Sequence, residues 1–251
     1  MARSAPAASI AADEVARFSA QAADWWNMEG SFRSLHRLNP LRVGYVRDQI
    51  VAHCGRDATR RDALRGLKLL DVGCGGGLLA EPLARLGATV TGLDASAETI
   101  AVAAAHAVEN GLAIDYKASS VEELAEGKAR FDVITALEIV EHVADRASFI
   151  AALAKLLKPD GLLLMATLNR TTRSFMLGVV AAEYVLGWVP RGTHDWNSFV
   201  RPSELARELE QEGLALRDLT GMVFNPLRGE FVLSIRDLRV NYLLAATKAA
   251  A

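Results

Sequence analysis

Leu70-Asp71-Val72-Gly73-Cys74-Gly75-Gly76-Gly77 is the stretch on which the fold turns. An apolar run ends in an acid, glycines follow, and a helical pattern begins at Leu78. That is the handover from a strand to a helix. Glycines at such a turn admit positive φ and let a ligand come close to the backbone. A generic glycine-rich turn would look much the same, as would a dinucleotide loop. The dinucleotide loop needs its third glycine three places after the second, so that a pyrophosphate can rest on the helix N-terminus. Leu78 holds that place. What stands here is G-x-G-x-G behind an acid.

Outward from the loop, apolar runs alternate with helical patterns. LKLLDVG (67–73), ATVTGLD (88–94), AIDYKAS (113–119), FDVITALE (131–138) and GLLLMATL (161–168) read as buried strands. Leu78–Leu86, Ala97–Asn110, Val121–Glu126 and Arg146–Leu157 read as helices between them. The alternation predicts a mostly parallel sheet covered on both faces. After Arg201-Pro-Ser-Glu, where Ser203 is the expected N-cap, the runs ALRDLTG, FNPLRGEF and VNYLLAATK follow without helices and suggest antiparallel strands at the sheet edge. Residues 1–12 read as a disordered tail, 13–65 as a helical cap, and 66–251 as the main domain with an insertion at about 170–200.

Composition narrows the field. Over 251 residues the formal net charge is −2, which argues against a nucleic-acid surface. Cys54 and Cys74 make neither a disulfide framework nor a zinc knuckle, and a reducing cytoplasm is the expected setting. No apolar run is long enough to span a bilayer.

An acid at the first strand end coupled to G-x-G-x-G resembles the class I methyltransferases. The resemblance implies a Rossmann-like sheet of seven strands and S-adenosylmethionine as cofactor. That molecule brings a sulfonium cation and an amino acid end but no phosphate, so an acid at Asp71 suits it. Asp94 closes the second strand, where a carboxylate can accept from both ribose hydroxyls; a helix N-cap is the lesser alternative. The acid that often follows the third strand is replaced here by Ser119-Ser120-Val121, so backbone or hydroxyl groups are expected to meet the adenine.

WWNMEG (25–30), LHRLNPLRVGYV (35–46), EIVEHV (138–143), TLNR (167–170), RGTHDW (191–196) and the terminal VNYLLAATK resemble the ubiquinone biosynthesis O-methyltransferase family, from about Val15 to Lys248. The resemblance implies methylation of polyprenylated catechols or hydroxyphenols at both O-methylation steps. It implies cofactor contacts at Arg42, Gly73, Asp94 and Leu137, beside the loop residues Asp71, Gly75 and Gly77. An arginine is a suitable clamp for the methionine carboxylate.

Glu138, Glu141 and His142 follow the fourth strand, spaced so that one helical turn can gather them. Two carboxylates and an imidazole suit a divalent cation, and the resemblance implies magnesium. A metal bound by both catechol oxygens would acidify the attacking phenol. Without a metal, His142 or His194 would be the general base, with Glu141 beside it. Asn169, His194 and Asp195 are further pocket candidates, and Trp196 could pack on a ring or a prenyl tail. The apolar stretch Phe175–Val189, flanked by Arg170 and Arg173, reads as a cap helix or as an amphipathic element lying on lipid. Expected partners are the polyprenylated phenol, membrane lipid and other ubiquinone biosynthesis enzymes, with the protein peripheral on the inner face of the membrane.

Overall fold

The computed structural model describes residue 10 and residues 12–176 and 195–249. An N-terminal cap comprises α1 (Ala12–Ser19), a 3-10 turn at Ala22–Asp24 and the long α2 (Arg33–His53). Then come β1 (Lys68–Val72), α3 (Ala80–Arg85), β2 (Thr89–Asp94), α4 (Ala97–Glu109), β3 (Asp115–Ala118), α5 (Val121–Glu126) and β4 (Phe131–Leu137). A 3-10 turn at Val140–His142 leads to α6 (Arg146–Leu156), β5 (Leu157–Leu168) and one turn of helix, α7 (Thr172–Ser174). The chain closes with α8 (Pro202–Gln211), β6 (Leu214–Asn225), β7 (Glu230–Ser234) and β8 (Asn241–Lys248).

The sheet has eight strands in the order β3-β2-β1-β4-β5-β8-β6-β7, against the expected seven. The extra strand is the far arm of a hairpin: β6 runs on to Asn225, so β7 pairs back along it from Gly221 to Asn225. The first five strands in that order are parallel, and β8, β6 and β7 join antiparallel. The expected edge is therefore found, with β8 threaded between β5 and β6.

Successive residues of a strand point to opposite faces, and here each face has its own core. Leu70, Ile134 and Leu163 pack with Val121, Phe149 and Leu205 of the helices on one side. Leu69, Val133 and Leu162 pack with Val46, Ile50 and Leu83 on the other. Burial on both faces explains why the central strands read as unbroken apolar runs. The helix after β2 is capped by Ser96, whose side chain accepts from the Thr99 amide, so Asp94 is not its cap. The helix expected to be capped at Ser203 begins at Pro202, where a missing N–H costs nothing.

Candidate active site

Strand order reverses between β1 and β4, and in open α/β sheets ligands bind in the crevice at the carboxyl ends of the strands around such a point. A cavity of about 800 Å³ opens there. Its walls include Arg42, Asp71, Gly73, Asp94, Leu137, Glu138, Glu141 and His142, which stand far apart in the chain.

The glycines bend the loop over the strand ends. Gly73, Gly75 and Gly77 have φ of 68°, 52° and 92°, a region that side chains disfavour. The amides of Gly73 and Cys74 both donate to the Leu93 carbonyl, at 2.8 and 3.0 Å. The Gly75 amide donates to Asp94 at 3.0 Å, and the Ser96 amide donates to its other oxygen at 2.9 Å. Asp94 thus fixes the loop and retains lone pairs for a ligand. Gly75 and Gly77 shape the loop from behind and do not line the cavity, whereas Gly73 does.

Asp71 is buried, with Thr135 donating to one oxygen at 2.7 Å and the other oxygen unpartnered. Loss of water is the main reason its carboxyl is raised to about 7; the hydrogen bond from Thr135 works against the rise and the nearby Asp94 charge adds a smaller push. Burial likewise raises Asp94 from the ordinary range.

The HRLNPLR stretch acts as a set of staples along α2. His36 Nε2 meets the Trp25 carbonyl at 2.9 Å, Asn39 donates to the Leu78 carbonyl at 2.6 Å, and Arg42 pairs with Glu138 at 2.7 Å. Spaced three residues apart, these side chains leave one side of the helix. The paired tryptophans of WWNMEG bracket the loop. Trp25 lies over Gly75 and Gly76, while the Trp26 indole donates to the Gly76 carbonyl at 3.0 Å and stacks on His106.

Past β4, Glu138 carries a φ of 49°, unusual without glycine, and strain of this kind gathers at functional sites. Its amide donates to the Ala166 carbonyl at 2.9 Å, and Arg42 holds its side chain. Glu141 is buried and accepts from Thr167 at 2.9 Å; burial raises its carboxyl to about 8, so it is mostly protonated at neutral pH. His142 Nδ1 lies 2.9 Å from Glu14 of α1.

This placement departs from the expected metal set. Among the described residues no group of three or more His, Cys, Asp or Glu side chains is placed to hold a metal ion. Each of the three expected ligands turns to a different neighbour: Glu138 to an arginine, Glu141 to a threonine and His142 to a glutamate. As arranged, these residues do not fit the ion.

The further candidates of the sequence turn out to be ties. Asn169 donates to the Leu238 carbonyl, Asp195 caps the 3-10 turn at Trp196–Ser198, and the Trp196 indole donates to the Thr171 carbonyl and meets Phe175 edge-on. His194 and most of the Phe175–Val189 stretch lie outside the described residues.

Several lining residues escaped the reading of the sequence. Glu122 is buried with neither carboxylate oxygen bonded, and Thr99 Oγ1 is likewise unpartnered. Together with Asp71, the Trp25 indole nitrogen and Arg42 Nε, they form a ring of unsatisfied polar atoms at the cavity. Buried polar groups are rarely left unbonded in proteins, and a ligand rich in donors and acceptors would satisfy these. Glu122 carried a sequence signal as an acid just after the third strand, displaced past the two serines.

A methyltransferase domain model matches residues 13–219. A ubiquinone biosynthesis O-methyltransferase of Methylobacterium nodulans is 54% identical over 240 residues, 96% of each chain. Another protein of that name, from Chelativorans sp., is 52% identical over 95% of this chain and 94% of its own. The chain belongs to the ubiquinone biosynthesis O-methyltransferase family. As a member of that family it is an O-methyltransferase dependent on S-adenosylmethionine. Among solved structures, magnesium protoporphyrin IX methyltransferase from Synechocystis PCC 6803, with bound SAH, superimposes at a TM-score of 0.63 and 20% identity, covering 94% of this chain and all of that one. The likeness lies in the fold. No described helix of this family member is long and apolar enough to cross a membrane.

Proposed function

We propose that this methyltransferase acts on the phenolic hydroxyls of polyprenylated catechol and hydroxyphenol intermediates, at both O-methylation steps of ubiquinone biosynthesis, with His142 as the general base. The observation that carries this reading is that one cavity is lined by Asp71, Gly73 and Asp94, which suit the cofactor, and by Glu141 and His142, which suit the phenol.

The polar ring suits the cofactor. Asp94 would accept from the ribose hydroxyls, Glu122 and Thr99 would serve the adenosine end, and Arg42 Nε and the Trp25 indole would donate to the methionine carboxylate. When bound, the cofactor supplies an electrophilic methyl group on a sulfonium. The residues of the chain then hold the phenol oxygen in line with that methyl and remove its proton. His142 Nε2 would take the proton of the phenol oxygen as that oxygen receives the methyl group. Glu141, mostly neutral and bonded to Thr167, can donate to the second catechol oxygen.

An acceptor with a polyprenyl tail resides in lipid, which puts the reaction at the cytoplasmic surface of the membrane. Phe175 and Met176, both exposed, begin the apolar stretch and support this placement.

The test is methyl transfer from labelled S-adenosylmethionine to a short-prenyl catechol and a short-prenyl hydroxyphenol, with magnesium and with chelator. Turnover on both that survives chelation is the expected result. Loss of turnover in chelator would restore the metal route, and no turnover with cofactor still bound would point to a different acceptor.

A further inference from the structure

Past Asp71 and Asp94 the cavity changes character. Its buried, unbonded side-chain atoms belong to β1, α4, α5 and the cap; among the described residues none lies on β6, β7 or β8. From those three strands and from α2 come Leu35, Leu38, Val223, Phe224, Phe231 and Val240, all half-buried. Two polar side chains at this end are already engaged: Asn241 accepts from the Met222 amide at 3.1 Å, and Asp237 accepts from Arg239 at 2.6 Å. An apolar occupant would lift the six side chains out of water and leave those bonds intact.

Strand β7 supplies the outer wall. Phe231 stands opposite Phe224 in the register, with ring centroids 5.2 Å apart and planes tilted by 57°. The strand packs against α2, and Arg37 of that helix donates to the Gly229 carbonyl at 3.1 Å, so the two walls are tied together. Beyond Phe224 the turn is braced, because Asn225 Oδ1 accepts from the amides of Leu227 and Arg228 at 3.0 and 3.4 Å. The turn carries Pro226, which still lines the cavity, and holds Leu227 96% exposed. Apolar side chains thus lead from the cavity to the surface.

Resting on the reading of the acceptor as a polyprenylated phenol, we propose that its isoprenoid tail lies in this groove between α2 and the β6–β7 hairpin. Phe231 selects for the tail, which leaves past Leu227. Continuity decides the occupant. The groove opens from the same cavity that Glu141 and His142 line, so a ring seated there must send its substituent along these walls or back over the polar half. Isoprene units carry no hydrogen-bonding group. Laid over Asp71, Glu122 and Arg42, they would strip water from polar atoms and return no bond. The rings of Phe224 and Phe231 instead offer apolar faces to the double bonds and methyls of the tail. A turn already braced loses little freedom when the tail settles on it. The strand beyond the expected seven thereby has a use as the outer wall of the tail's seat.

The experiment uses the full chain in vesicle-free buffer, with a tail-less catechol and its diprenyl counterpart as acceptors. The parent, Phe231→Gln and Phe231→Leu are compared by kcat/KM on each acceptor, and the Kd of S-adenosylhomocysteine by calorimetry reports on the fold. The parent should prefer the diprenyl acceptor. Phe231→Gln should cut that preference about tenfold, equivalent to about 1.4 kcal/mol, through KM rather than kcat and with the Kd within about twofold. Phe231→Leu, still apolar, should keep most of the preference. A diprenyl catechol ending in a diazirine should, on irradiation, label the peptide that holds residues 222–231 of the parent. If Phe231→Gln also loses cofactor affinity, the label on the parent decides. A preference unchanged in Phe231→Gln, or label confined to residues 177–194, would overturn the seat and leave the acceptor reading in place. Equal losses on both acceptors would make Phe231 a structural residue and overturn its selecting role. A parent with the same kcat/KM on both acceptors would remove the polyprenyl reading and the inference together. A preference that arises only when phosphatidylcholine vesicles are added would assign the groove to lipid and overturn the tail as its occupant.

Discussion

Arg42 and Glu138 meet at 2.7 Å across the top of the sheet, the arginine nearly buried and the glutamate held at a φ of 49°. The pair ties the cap helix α2 to the strained end of β4. Arg42→Ala should therefore raise the KM for S-adenosylmethionine more than that for the phenol. It should also lower stability by about 1–3 kcal/mol, since Glu138 loses its counter-charge in a half-shielded site. Steady-state kinetics with each substrate varied in turn, and a denaturant midpoint, check both halves. A rise confined to the phenol KM would move Arg42 to the acceptor side.

Asp94 holds the loop and is the proposed seat of the ribose. Asp94→Ala removes the acceptors of the Gly75 and Ser96 amides and the ribose seat together. The Kd of S-adenosylhomocysteine should rise at least about tenfold, equivalent to about 1.4 kcal/mol. An unchanged Kd by calorimetry would refute the ribose role.

Gly76 tests the tryptophan lid over the loop. Its φ is ordinary, so alanine there is a steric probe alone, and the added Cβ would come within 2.1 Å of the Trp25 ring. Gly76→Ala should cost about 1–3 kcal/mol. In the Trp25→Leu background the cost should shrink, which a double-mutant cycle by chemical denaturation would reveal. Additive effects would mean that the ring gives way freely.

Asp71 sets a pH dependence. Its carboxyl ionises near 3.8 in the unfolded chain and near 7 in the fold, raised chiefly by burial. Between those values the unfolded chain has lost a proton that the native one keeps. The stability carried by the protonated form is whole below about pH 4 and falls away as pH rises through about 7. Denaturant midpoints of the ligand-free protein over that window should flatten in Asp71→Asn. The same slope in variant and parent would show that Asp71 does not retain its proton.

The fold was legible because its signals are local. Burial on both faces leaves the central strands continuously apolar, and glycine punctuation marks the turns, so β1 to β5 and the helices between them could be read within a few residues. That Asp71, Gly73 and Asp94 line one cavity was legible for a similar reason, since they mark strand ends in the sequence itself. The acceptor edge was less so. Glu138, Glu141 and His142 are close in sequence, and spacing alone suggested convergence. In the structure a 3-10 turn and a left-handed Glu138 fan them toward three different elements. Glu14 could not be found from its surroundings, because its partner is His142 and only the path of α1 over the cavity brings the two together. Glu122 was masked by the two serines that hold the expected place of an acid.

The three staples of α2 turn a sequence motif into a dimension. An α-helix advances about 100° per residue, so one residue inserted between His36 and Arg42 would swing one end of the set well away from its carbonyl or carboxylate. No single side chain could repair that, because the three targets belong to the cap, the glycine loop and β4. A substitution within the motif removes one staple, whereas a change in its length displaces several at once. Chains that share the cavity and lack this phase would have to register their caps by other means.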